Sequence, residues 1–294
     1  MRIKELFDSK ELVFSFEVFP PKASSSIDVI YKTLDELKGL SPDFISVTYG
    51  AGGNSKDNRT AEIAGLIKNK YGIESLAHLT CINSSEDEVR EILENLKKNN
   101  VNNILALRGD IPEGETLRGN YRYSDDLIKT VKDFGSFNIA GACYPEGHNK
   151  DESLDKHIDM LKRKVDAGAE HLISQLFFDN DDFYRFLDKS KNLGLDVPIQ
   201  AGIMPVLNGK QIDRIISMCG VKFPNKFMKI VDRYGHDKIA LRDAGIAYAV
   251  EQIIDLASSG ADGIHLYTMN NAYVASKIND SVTSIVTSLN RKIV

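Results

Sequence analysis

Long apolar runs are missing from this chain. No stretch of its 294 residues has enough apolar side chains to span a bilayer. The opening residues, Met1-Arg2-Ile3-Lys4-Glu5-Leu6, are charged and too short in apolar content for a secretory signal. Both observations predict a cytoplasmic protein. Blocks of like charge are also absent, and the net charge is −5, which argues against a nucleic-acid surface. Cysteine is scarce. Cys81, Cys143 and Cys219 lie far apart, form no Cys-x-x-Cys spacing, and are odd in number. That excludes a disulfide framework and a cysteine-held metal centre, and predicts reduced, buried thiols. Low-complexity tracts and linkers are absent too, so residues 1–294 are expected to form one domain.

What is present suits a large core: 42% of residues are hydrophobic and 27% charged. Short β-rich runs alternate with longer helical patterns. Strands are predicted at Val13–Phe19, Phe44–Val47, Ser75–Thr80, Asn103–Ala106, Asn138–Ala142, His171–Gln175, Pro198–Ile203 and Gly263–Tyr267. Between them, Ile27–Leu37 carries apolar residues on one helix face. Ser85–Lys98 opens with Ser85 and Glu88, a capping-box pair. Lys156–Ala167 and Asp181–Leu193 end at Gly168 and Gly194, which supply left-handed stops. Several helices fall between Gly209 and Ser259, with a break at Phe223-Pro224. Eight strands, each followed by helix, predict an α/β fold: a closed (β/α)8 TIM barrel with an elaborated crossover before the last strand. A doubly wound open sheet usually has fewer strands.

In such a barrel, chemistry gathers where strands end. Glu17 interrupts the apolar strand Val13–Phe19, which is expected to be covered on both faces. A carboxylate there needs partners, or a use for a raised pKa. In Arg108-Gly109-Asp110 the glycine allows close backbone approach. Two readings stand: an anion-binding Arg beside an Asp that favours positive charge, or a turn with a local ion pair. The glycine-rich stretch Gly50-Ala51-Gly52-Gly53-Asn54-Ser55 lacks both the Gly-x-Gly-x-x-Gly spacing and the P-loop lysine. His78 reads first as a structural histidine, and nothing in the sequence activates neighbouring Cys81. His148 makes no metal spacing with His78 or His157. The cations Lys162, Arg163 and Lys164 cannot share one helix face, and a solvated face is the simpler reading. Gln175 suits the edge of a heterocycle.

Several strings, taken in order, resemble one family. They are Phe16-Glu17-Val18-Phe19-Pro20-Pro21-Lys22, Val47-Thr48-Tyr49-Gly50, His78-Leu79-Thr80-Cys81, Asn103 through Asp110, Lys162 through Ala169, and Tyr267-Thr268-Met269-Asn270. The chain is similar over nearly its whole length to methylenetetrahydrofolate reductase of the short bacterial type. The resemblance implies a barrel holding FAD at its mouth, NAD(P)H as electron donor, and reduction of 5,10-methylenetetrahydrofolate to 5-methyltetrahydrofolate for methionine synthesis. It implies that Glu17 keeps its proton at neutral pH and opens the folate's five-membered ring to an iminium ion. It places Asp110 near flavin and pterin, Gln175 on the pterin, and Tyr267 against the substrate. Flavin contacts carry over onto Thr48, His78, Arg108, Gly109, Asp110, Tyr123 and Ser124, and onto Ala142, Tyr144, His148, Arg163 and Lys164. The family tends to form homo-oligomers.

The chain also departs from the pattern. Tyr123-Ser124-Asp125 stands where relatives read Tyr-Ala-Ser. His157 and Met160 replace an Asp and an Asn. Gly209 stands where relatives stack a Phe on the nicotinamide, and Asn271 replaces an Arg. Gly209 leaves open electron delivery by a metal-containing partner subunit. Two further alternatives are a non-catalytic folate-binding subunit, which intact Glu17 and Asp110 oppose, and an aldolase-like barrel, which the lack of a strand lysine opposes.

Overall fold

The computed structural model describes residues 1–21, 25–49, 59–110, 119–147 and 153–291. Eight strands run in chain order: β1 Val13–Val18, β2 Phe44–Val47, β3 Glu74–Thr80, β4 Asn103–Leu107, β5 Asn138–Cys143, β6 His171–Ser174, β7 Ile199–Ile203 and β8 Gly263–Tyr267. All neighbours pair in parallel, and β8 returns to β1, so the sheet closes into a barrel. Helices fill the crossovers. They are α1 Lys4–Ser9, α2 Asp28–Leu37, α3 Arg59–Tyr71, α4 Glu86–Lys98, α5 Ser124–Phe134, α6 Leu154–Ala167 and α7 Asn180–Asn192, then α8 Gly209–Cys219, α9 Asn225–Tyr234, α10 Lys238–Ser258 and α11 Ala272–Leu289. The (β/α)8 architecture read from the alternation is therefore the one observed, and α8 to α10 form the elaborated crossover.

Alternation within each strand divides the core. Outward residues such as Phe16, Ile45, Leu79 and Leu266 are fully buried under the helices. Each such side chain contributes roughly 1.5–3 kcal/mol. Inward residues form the lumen. Its floor is mostly apolar, with His171 set among it: Val13, Phe44, Leu76, Leu105 and Ile173 pack against Ile3 and Leu6, so α1 plugs the bottom of the barrel. A third cluster lies beside the mouth, where Phe178 stacks on Phe223 at 4.2 Å between ring centroids and Phe227 meets Tyr248 at 4.9 Å. It seats α8 and α9 against α10.

Most local signals hold. Ser85 Oγ accepts from Glu88 N–H at 3.2 Å, and Glu88 Oε2 accepts from Ser85 N–H at 2.8 Å, completing the capping box of α4. Gly168 and Gly194 have φ of +129° and +77°. Two edges differ. β1 stops at Val18, and Phe19 is exposed, because the prolines that follow cannot donate to the ladder. β6 stops at Ser174, leaving Gln175 on the loop. Of the cysteines, Cys81 and Cys143 are buried as expected, but Cys219 at the end of α8 is only half-buried. Among the described residues, no helix is long and apolar enough to cross a membrane.

Candidate active site

Parallel register sets which side chains meet at the mouth. Glu17 pairs with Ser46 on one side and Tyr267 on the other. Its carboxyl faces into the barrel, where two imidazoles converge on one oxygen. Oε2 lies 3.4 Å from His78 Nε2 and 3.5 Å from His265 Nε2. The His78 contact is electrostatic rather than a formed hydrogen bond, since its Nε2 finds no well-aligned partner. Burial drives the His78 pKa down to about 4, so this imidazole is neutral near pH 7. His265 is held from below. Its Nδ1 is 2.7 Å from Ser15 Oγ and its Nε2 is 3.2 Å from Ser46 Oγ, while Gln200 Nε2 donates to Ser15 Oγ at 3.1 Å. Glu17 thus caps a polar file built from β1, β2, β7 and β8.

Gln175 and Tyr267 stand on the same side of the mouth, and Ser174 organises both. Its carbonyl accepts from Tyr267 Oη at 2.8 Å. Its Oγ donates to Gln175 O at 2.9 Å and accepts from Gly202 N–H at 2.8 Å. Gln175 Oε1 accepts from Leu176 N–H at 2.9 Å, which fixes the amide plane. Gly202 is required here: a Cβ would sit 2.3 Å from Ser174 O and 2.8 Å from the Tyr267 ring.

Across the mouth, the ends of β4 and β5 and the faces of α5 and α6 enclose a cavity of about 620 Å³. Arg108, Gly109 and Asp110 form one wall, and Gly109 turns the chain with φ of +86°. Tyr123 and Ser124 enter from the start of α5. Ala142 and Tyr144 come from the end of β5, and Arg163 and Lys164 from α6. Nine residues expected around a cofactor therefore line one space. Arg163 Nη2 donates to Asp125 Oδ2 at 2.7 Å, and its guanidinium lies 5.3 Å from the Tyr123 ring centre. Lys164 overturns the solvated-face reading of the three cations. Its Nζ turns inward and donates to Ala142 O at 2.7 Å, and burial lowers its pKa to about 8. Cys81 and Cys143 are pushed up to about 12 by burial, so neither is a nucleophile.

Not every expected residue falls on that wall. Thr48 and His78 lie at the ends of β2 and β3, and His78 faces Glu17. His148 lies outside the described residues, as does the glycine-rich stretch 50–55. Ala106, Leu107, Asp125, His157 and Met160 also line the cavity without having been assigned to it. His157 accepts from Tyr144 N–H at 3.0 Å and its ring meets Tyr144 edge-on at 5.5 Å, so it shapes the wall from behind. His265 and Ser46 were missed entirely. Strand alternation held the signal, because His265 stands two residues before Tyr267 in an otherwise apolar strand and so shares its inward face.

Fold and site together define a (β/α)8-barrel enzyme. Its mouth holds a cavity lined by cations and rings and, on β1, a carboxyl oxygen near two imidazoles. A family profile described as methylenetetrahydrofolate reductase matches residues 2–283. The chain is 38% identical over 264 residues to 5,10-methylenetetrahydrofolate reductase of Escherichia coli K12, covering 90% of this chain and 88% of that one. It is 34% identical over 284 residues to methylenetetrahydrofolate reductase (NADH) 1 of Arabidopsis thaliana, covering 92% of this chain and 48% of the plant protein. An uncharacterized Clostridium thermocellum protein that binds two copies of 5-methyl-5,6,7,8-tetrahydrofolic acid shares the fold. Its TM-score is 0.68 at 15% identity, over 97% of this chain and 99% of that one. The chain belongs to the methylenetetrahydrofolate reductase family and is an oxidoreductase.

Proposed function

We propose that the protein reduces 5,10-methylenetetrahydrofolate to 5-methyltetrahydrofolate, with FAD as resident cofactor and NADH as the source of electrons. The observation that carries this is Glu17, whose Oε2 lies 3.4 and 3.5 Å from His78 and His265 at the barrel mouth, the same mouth that carries a cavity lined by Arg108, Asp110, Arg163 and Lys164. The donor set of that cavity fits FAD. Arg108, Arg163 and Lys164 suit a pyrophosphate, Tyr123 and Tyr144 offer rings, and Gly109 and Ala142 leave room. When bound, FAD supplies the hydride that reduces the one-carbon unit.

The chain's own residues do the rest. Glu17 gives a proton from Oε2 to the amine nitrogen of the folate's five-membered ring, which opens to the cationic iminium. Neutral His78 beside it adds no positive charge that would bind the carboxylate more tightly after proton loss. Asp110, a carboxyl at the rim, favours the iminium cation. Gln175 presents its amide to the pterin edge, and Tyr267 supports the substrate with a ring fixed by Ser174. The name of the Arabidopsis relative, a methylenetetrahydrofolate reductase (NADH), supports NADH as donor. Delivery of electrons by a partner subunit is the alternative that NADH tests.

Purified protein supplemented with FAD is expected to be yellow, to bleach with NADH in the absence of oxygen, and to regain colour when methylenetetrahydrofolate is added. Glu17→Gln should bleach with NADH at close to the wild-type rate and regain colour with folate slower by orders of magnitude. Colourless protein, or a flavin that NADH leaves oxidised, defeats the proposal as stated.

A further inference from the structure

The backbone just beyond Tyr267 is strained. Met269 and Asn270 both occupy the left-handed region, with φ of +52° and +53°. Asparagine tolerates that region, but methionine rarely enters it, and two such residues in succession need a restraint. The restraint is the end of β1. Thr268 Oγ1 donates to the carbonyl of Glu17 at 2.6 Å, and Thr268 N–H reaches the same oxygen at 3.3 Å. Asn270 N–H donates to Thr268 Oγ1 at 3.2 Å. The Asn270 side chain then grips Phe19 at both of its backbone groups. Phe19 N–H donates to Oδ1 at 3.0 Å, and Nδ2 donates to Phe19 O at 2.8 Å.

Regular pairing of β8 with β1 stops at Glu17 and Tyr267. Past it, Pro20 and Pro21 have no N–H, so the backbone alone cannot continue the ladder. The Asn270 amide takes the place of the next paired residue. It holds the residue two positions past Glu17, whose carboxyl lies 3.4 and 3.5 Å from His78 and His265; beyond it, Pro21 O accepts from Arg59 Nη1 at 2.9 Å.

We propose that Asn270 is a positioning residue for Glu17, closing the β8–β1 seam past the strand ends and tolerating the left-handed turn that brings its amide there. The inference rests on the reading of Glu17 as proton donor.

Three variants separate backbone from hydrogen bonding. Asn270→Gly adopts the same φ without strain but carries no amide. Asn270→Asp keeps the acceptor for Phe19 N–H and loses the donor to Phe19 O. Glu17→Gln is the control. In FAD-loaded protein, Asn270→Gly should bind flavin and be reduced by NADH as wild type does. Its reoxidation by methylenetetrahydrofolate should be slower by about 10- to 100-fold, the scale of a small misplacement of a reacting group. The fall should appear in the limiting rate more than in the folate concentration at half-saturation, and Asn270→Asp should fall in between. Wild-type folate reoxidation in Asn270→Gly overturns the inference, as does an equal loss in both half-reactions, which marks a purely structural residue. Should Asn270→Gly not fold, Asn270→Asp decides by the same two criteria. If Glu17→Gln reoxidises normally, the proton-donor reading itself fails. If Glu17→Gln is slow and Asn270→Gly is not, only the present inference falls.

Discussion

Lys164 is a cation in an unwelcoming place. Its ammonium is turned inward onto the carbonyl of Ala142, and burial brings its pKa to about 8. An anion bound in the cavity favours the charged form and raises that pKa. Binding therefore takes up a proton between the free and bound values, and affinity falls as pH rises through that window. Flavin affinity, measured by fluorescence quenching, should weaken from about pH 8 upward and approach one decade per pH unit. Lys164→Arg, which stays charged, should flatten the curve. A pH-independent wild-type affinity would mean that Lys164 does not face the bound anion. The residues most exposed to sequence reasoning were those that break a local rule: Glu17 in an apolar strand and Arg108-Gly109-Asp110 at a strand end. Those that obey such rules stayed hidden. Ser15 and Ser46 are unremarkable strand serines, and only barrel closure brings them against His265.

At the scale of elements, local chemistry set the boundaries where a side chain closes on its own backbone. The Ser85–Glu88 box is complete within four residues, so it was readable before any tertiary contact existed. Ser85→Ala should cost about 1 kcal/mol and lower the melting temperature by about 2 °C, without altering flavin content. A change below about 0.3 kcal/mol in urea unfolding would show that Glu88 alone caps α4. Elements set by distant partners were less legible. The break at Phe223-Pro224 was visible, but the reason for it was not. Phe223 leaves the helical pattern to stack on Phe178, 45 positions earlier in the chain.

For the whole molecule, the barrel buries histidine below the site as well as in it. His171 lies on the floor with neither ring nitrogen meeting a hydrogen-bond partner among the described residues, and its ring faces Phe7 at 5.2 Å. Burial lowers its pKa to about 3. The folded state refuses a proton that the unfolded chain accepts below about pH 6.5, so stability is lost as pH falls from about 6.5 toward 3. His171→Leu removes this loss without leaving an unsatisfied donor. Between pH 8 and pH 5, the variant should lose about 2 kcal/mol less of its unfolding free energy than wild type. Equal losses would mean that the ring accepts a proton while folded. The barrel itself followed from eight alternating units, whereas its polar lumen did not, because it depends on register around the whole circle. That circle is closed by strands 250 positions apart, which has a consequence for biosynthesis. A chain emerging from the ribosome carries Glu17 almost from the start, yet neither His265 nor Asn270 can reach it until nearly all of the polypeptide has been made. Truncated products of translation should thus carry Glu17 without the partners that β8 and the turn after it supply.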